Sequence, residues 1–227
     1  MTGSPRARAV TVDSVAAIIC ASPLPHPVRV AVDGISAAGK STFAAELTDA
    51  LAARRRPTVH LTLDGYHHPR DHRYRRGRHS AVGYYDDAFD FAAFARHVLV
   101  PLGPGGDRRY RMRVHDLESD EQVDEPALEA PVDAVVVVDG SFLQRPELAP
   151  HWDWRIFVNT SPAVARARGL RRDAAALGGR RKAETLYDTR YHAAADLYRR
   201  AVSPEEHADL VLDNDDLAHP VLVVRRR

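Results

Sequence analysis

The stretch Gly34-Ile35-Ser36-Ala37-Ala38-Gly39-Lys40-Ser41-Thr42 fits G-x-x-x-x-G-K-[ST] in full. An apolar run, Val28–Val32, precedes it and a helical pattern starts at Lys40, which is the context this motif needs. Glycines let backbone N–H groups curl around phosphate oxygens, and the helix N-terminus adds partial positive charge. Lys40 is then expected to reach the β- and γ-phosphates of a nucleotide, and the Ser41 hydroxyl to hold Mg²⁺. Lys40 and Lys182 are the only lysines among 32 basic residues, so a lysine at this position is a specific choice. Gly34, Ser36, Ala37, Ala38, Gly39, Lys40, Ser41 and Thr42 are the expected nucleotide contacts, with ATP and Mg²⁺ as cofactors.

Two carboxylates complete the chemistry. Asp64 follows the apolar run Thr58–Leu63, and Asp139 follows Ala134–Val138. Parallel strands deliver their C-terminal ends to one edge, so both acids and the glycine-rich turn are expected around one crevice. Phosphoryl transfer needs a cradle, an acid to hold metal and a carboxylate to take the proton of an attacking hydroxyl. Asp139, after four valines, is assigned to Mg²⁺, and Asp64 is assigned as general base.

The elements that must position these residues are legible in outline. A short amphipathic helix is expected within Val10–Ala21, with Val12, Val15, Ile18 and Ile19 on one face. Further strands are expected at Trp154–Val158, Asp209–Leu212 and Pro220–Val224, and an extended piece over Arg109–His115. Helices are expected over about 40–55, 86–98, 161–173 and 181–202. The whole reads as α/β: a mostly parallel five-stranded sheet with helices on both faces and a helical lid. Residues 1–26 form an extension with a short helix and 27–227 the main domain, with the lid at about 172–200.

Length and composition set the outer limits. The chain has 227 residues, suited to one domain with a lid. With 44% hydrophobic and 28% charged residues it is neither disordered nor fibrous. Net charge is +1, giving no general attraction to nucleic acid or an anionic membrane. No apolar run is long enough for a membrane span, and Cys20 alone makes no internal disulfide, which points to a reducing, cytoplasmic setting. His67, His68, His72 and His79, with Arg73, Arg75, Arg76 and Arg78, read as a solvated substrate-side loop rather than a zinc site.

With these motifs in place the chain resembles the uridine kinase family, within the group that also holds pantothenate kinase and phosphoribulokinase. The resemblance runs from about Val28 to Asp216. Asp64-Gly65-Tyr66-His67 resembles the motif carrying that family's catalytic Asp and a substrate-contacting aromatic, here Tyr66. Asp87-Ala88-Phe89-Asp90 is similar to its D-A-F-D element, and a gap makes Asp86 the counterpart of its ribose-binding Asp. Tyr110 and His115 have the spacing of its pyrimidine contacts, Arg172-Asp173 resembles the R-D of its lid, and Asn214 ends the closing strand near the adenine. The resemblance implies an ATP-dependent kinase acting on the 5′-hydroxyl of uridine or cytidine. The motif at 64–67 is equally similar to that of pantothenate and sugar kinases. A nucleotide-binding switch without a metabolite acceptor is the alternative of another class. The expected partner is a small-molecule substrate, with homo-oligomerisation left open.

Overall fold

The computed structural model describes residues 5–225. Among them, β1 (Val28–Asp33), β2 (Thr58–Thr62), β3 (Val135–Asp139), β4 (Trp154–Asn159), β5 (Leu210–Asp213) and β6 (Val221–Val224) form one sheet. Its order is β6-β5-β4-β1-β3-β2, parallel throughout except for β6, which runs antiparallel to β5. The sheet therefore has six strands rather than five: the expected terminal strand also joins it, returning antiparallel along the edge.

The valine run of β3 explains the layering. Val135 and Val137 pack with Phe43, Leu47 and Leu51 on one face, and Val136 and Val138 pack with Phe94, Val98 and Leu99 on the other. A strand covered on both faces has no polar position to alternate with, hence the continuous apolar sequence. The first face is closed by α2 (Lys40–Ala53) and by α1 (Pro5–Cys20), whose Val12, Val15, Ala16 and Ile19 are buried. This helix starts earlier than its apolar stripe suggests, and residues 1–4 of the expected extension lie outside the described residues.

The expected helix over 86–98 is broken. Its α3 (Ala81–Asp87) begins at Ser80, whose hydroxyl accepts from the Gly83 N–H at 3.0 Å. A second short helix, Phe91–Phe94, is capped by Asp90, which accepts from the Ala93 N–H at 2.8 Å, and a π turn follows over Ala95–Leu99. Two small ribbons, pairing Arg109–Tyr110 with Leu128–Glu129 and His115–Asp116 with Glu121–Gln122, replace the single extended piece. Then come α4 (Pro162–Asp173), α5 (Arg180–Leu186) and α6 (His192–Val202), the last two joined by a π turn at Tyr187–Tyr191. Among the described residues no helix is long and apolar enough to cross a membrane.

Register fixes the site. Val32 of β1 and Thr62 of β2 both align with Asp139 of β3, so three strands end level. The glycine-rich turn leaves from the first and the turn bearing Asp64 from the second.

Candidate active site

The turn at 34–40 is held in a shape that only small residues permit. Gly39 has φ +97°, and a Cβ there would lie 2.6 Å from the Asn214 Nδ2. That amide donates to the Ala38 carbonyl at 2.8 Å, and the Thr160 hydroxyl donates to the same oxygen at 3.1 Å. Asn214 is wholly buried and so fastens the turn from behind. Lys40 Nζ donates to the Ile35 carbonyl at 2.9 Å. Burial pushes its pKa down, and Asp33, Asp139 and Asp64 push the other way. The same field includes Arg172, so the lysine, three acids and this arginine lie within electrostatic reach of one another.

Beneath the turn, Asp33 is fully buried. It accepts from the Gly34 N–H at 2.8 Å, the Phe142 N–H at 3.1 Å and the Tyr198 hydroxyl at 2.5 Å. Burial raises its pKa against these bonds. Tyr198 belongs to α6, so this carboxyl ties the floor of the turn to the C-terminal helices.

Ser41 donates to Asp139 Oδ2 at 2.5 Å, and His60 Nε2 lies 3.0 Å from Oδ1 of the same carboxylate. A hydroxyl and a carboxylate side by side form a hard oxygen set suited to Mg²⁺, which keeps waters and takes further ligands from phosphate. Among the described residues there is no group of three or more His, Cys, Asp or Glu that could hold a metal ion. Ser41, Asp139 and Asp64 line a single cavity of about 750 Å³, whose far wall carries Arg113, His115 and Asp116. Asp64 is exposed to this space, on a 3₁₀ turn over Leu63–Tyr66 whose entry Thr62 accepts from the Asp64 N–H at 3.3 Å.

The remaining expected residues divide. His115 is buried and lines both this cavity and a neighbouring one of about 410 Å³. Tyr66 does not face either: it is fully buried, its hydroxyl donating to the Arg111 carbonyl at 2.8 Å. Tyr110 is likewise packed in the core. Asp86 sits exposed, 3.5 Å from Arg76 and 3.8 Å from Arg145. Asp87 beside it is buried and paired to Arg75 and Arg76, so these two arginines are engaged rather than free. Arg172 lines a cavity with Ala37, Gly39 and Thr42, its guanidinium doubly bonded to Asp173 at 2.7 and 3.0 Å.

Two residues come forward: His67, expected on a solvated substrate-side loop, and Tyr84, to which the sequence reading gave no role. His67 leaves the 3₁₀ turn in an extended conformation while Tyr66 turns inward, and His67 Nδ1–H donates to the Asp64 carbonyl at 2.9 Å. It is buried rather than solvated, which holds its pKa down, and it lines the smaller cavity. Tyr84 lies close to Ser36 of the glycine-rich turn, and burial, Tyr191 and Asp64 push its pKa up. Its signal was the helix phase of 81–87, which depended on where that helix starts.

Comparison with known proteins follows this geometry. The chain resembles, at 21% identity and TM-score 0.71, the structure of a possible uridine kinase from Bacillus stearothermophilus, over 89% of this chain and 97% of that one. A candidate fructose transport system kinase from Silicibacter sp. TM1040 superposes at TM-score 0.69 with 22% identity, covering 86% and 94%. D-glycerate 3-kinase from Cryptococcus neoformans gives TM-score 0.58 and 13% identity over 84% and 87%. These likenesses show the fold. No curated protein sequence matches the chain. The family model for phosphoribulokinase / uridine kinase matches residues 29–214, from the first strand through the phosphate turn and both acids to Asn214. The chain belongs to the phosphoribulokinase / uridine kinase family and is a kinase of that family.

Proposed function

We propose that this kinase transfers the γ-phosphoryl group of ATP to a primary hydroxyl of a small polar molecule. The observation that carries the reading is the single cavity shared by Ser41, Asp139 and Asp64. Amides of the turn and Lys40 hold the phosphates, and Ser41 with Asp139 would hold Mg²⁺, which when bound neutralises charge on the phosphate oxygens. Asp64 orients the acceptor hydroxyl and takes its proton as the new P–O bond forms. Arg172, released from Asp173, stabilises the transferring charge, and the helical segment at about 172–200 acts as a lid that excludes water. Asn214 shapes the nucleotide end of the site from behind the turn.

For the acceptor, the pantothenate- or sugar-type reading is favoured over the nucleoside one. Of Tyr66, Asp86, Tyr110 and His115, His115 alone is among the residues lining these two cavities. The Asp86 carboxylate is exposed and turned to Arg76 and Arg145, and Tyr84 lies nearer the glycine-rich turn. Around the smaller cavity His67, His68, His97, Arg96 and Arg111 form a wall rich in donors, suited to a hydroxy acid or polyol. Uridine or cytidine is the second reading, favoured by His115. A panel of acceptors with labelled ATP separates them: turnover of pantothenate, hydroxy acids or sugars is expected. Preferential turnover of a pyrimidine nucleoside would reverse the order, and ATP hydrolysis unaffected by any acceptor would favour the switch.

A further inference from the structure

Arg8 lies in α1, outside the segment that the family model matches, yet it reaches the nucleotide end of the site. Its Nε donates to both Glu46 oxygens at 2.9 and 2.8 Å, so it is anchored on α2, the helix that begins at Lys40. Its Nη1 donates to Asn214 Oδ1 at 3.0 Å and to the Leu217 carbonyl at 3.2 Å. One guanidinium thus bridges α2 to the turn that follows β5.

That turn is one wall of a cavity of about 480 Å³ which Arg8, Gly39, Thr42, Arg168 and Leu217 line together. Thr42 directly follows the Ser41 of the phosphate turn, so a nucleotide whose phosphates occupy the turn extends its base and sugar into this space. Guanidinium planes and an apolar side chain suit the flat face of a base. Arg168 holds the Asn214 and Asp215 carbonyls at 2.9 and 2.8 Å, and Asn214 holds Ala38. Those bonds persist without Arg8. What Arg8 alone supplies is the tie on the Asn214 side-chain oxygen and on Leu217.

We infer that Arg8 is a positioning residue for the base of the nucleotide: it fixes the 214–217 turn as a cavity wall and so sets nucleotide affinity, without touching the phosphates. The inference rests on the reading of the site as an ATP site. It makes the N-terminal helix part of the nucleotide site rather than an appendage.

Binding of ATP and of inorganic tripolyphosphate, measured by titration calorimetry on the full chain, tests it. Arg8→Met is expected to weaken ATP about tenfold, since a hydrogen-bonded charged tie is lost. Tripolyphosphate, which has no base, should stay within twofold. Arg8→Lys, too short a fork to bridge both elements, should fall between. Val15→Ala loosens α1 against α2 without touching the turn and should lower the melting temperature while leaving both affinities as they were. Should Arg8→Met fail to fold, Glu46→Gln weakens the same anchor and is expected to weaken ATP in the same selective way. Equal weakening of ATP and tripolyphosphate, an unchanged ATP affinity in Arg8→Met, or the same loss in Val15→Ala would each overturn the inference. Wild-type protein that binds tripolyphosphate and not ATP would overturn the parent reading as well, and is told apart by needing no variant.

Discussion

At the scale of single residues, the acid at 64 differs from the acid at 139 in what surrounds it. Asp139 is buried and shared between Ser41 and His60, so it is committed to holding. Asp64 is exposed to the cavity on a turn, so its carboxylate is available to a proton. Replacing Asp64 with Asn keeps shape and removes the base. Steady-state kinetics should then show kcat lowered by roughly 10²–10⁴ with little change in the KM for ATP. Lys40→Ala removes the cation in the field of Asp33, Asp139 and Asp64 that is proposed to hold the phosphates, and should damage ATP binding and turnover together in the same assay. The cradle was legible in the sequence because all its parts are consecutive. Choosing between Tyr66 and His67 was not, because it depends on the 3₁₀ turn ending at Tyr66 and the chain becoming extended at His67, which residue types alone do not set.

At the scale of elements, the helical segment after β4 is welded internally before it meets the site. Gly169 of α4 faces the Tyr187 ring so closely that a Cβ would sit 2.1 Å from it. The Tyr187 hydroxyl in turn donates to Asp173 at 2.6 Å, the same carboxylate that engages Arg172. Gly169→Ala must push that ring aside, and is expected to cost about 1–3 kcal/mol by overpacking, measurable by urea denaturation. The Asp33–Tyr198 bond ties α6 to the floor of the phosphate turn. Tyr198→Phe leaves a buried carboxyl with one partner fewer and should lower stability by about 1–3 kcal/mol in the same experiment. Strands were readable from their apolar runs, whereas the break between α3 and Phe91–Phe94 was not. It turns on which of Ser80, Asp86 and Asp90 caps, and all three are competent to do so. That one ambiguity decides that Asp86 faces Arg76 and Arg145 while Tyr84 lies near the glycine-rich turn.

At the scale of the molecule, five histidines, His67, His68, His97, His151 and His192, have pKa values lowered mainly by burial. The unfolded chain therefore binds more protons than the folded one as pH falls through about 6.5, so their stabilisation is full above that pH and is lost below it. Asp33, with its raised pKa, acts in the opposite sense but is one group against five. Thermal melts should fall between pH 7.5 and pH 5.5, and a flat profile would show that these rings are hydrated.

The packing of α1 carries a practical consequence. Val12, Val15, Ala16 and Ile19 share one apolar cluster with Phe43, Leu47 and Leu51 of α2, and β6 closes the far edge of the sheet. Both lie beyond the boundaries 29 and 214 at which kinship with the family is detected. A fragment trimmed to those boundaries would bare an oily stripe along the very helix that begins at Lys40, and leave an open strand edge ready to pair with neighbours. The unit of ancestry is thus smaller than the unit of folding, and expression trials should respect the larger one.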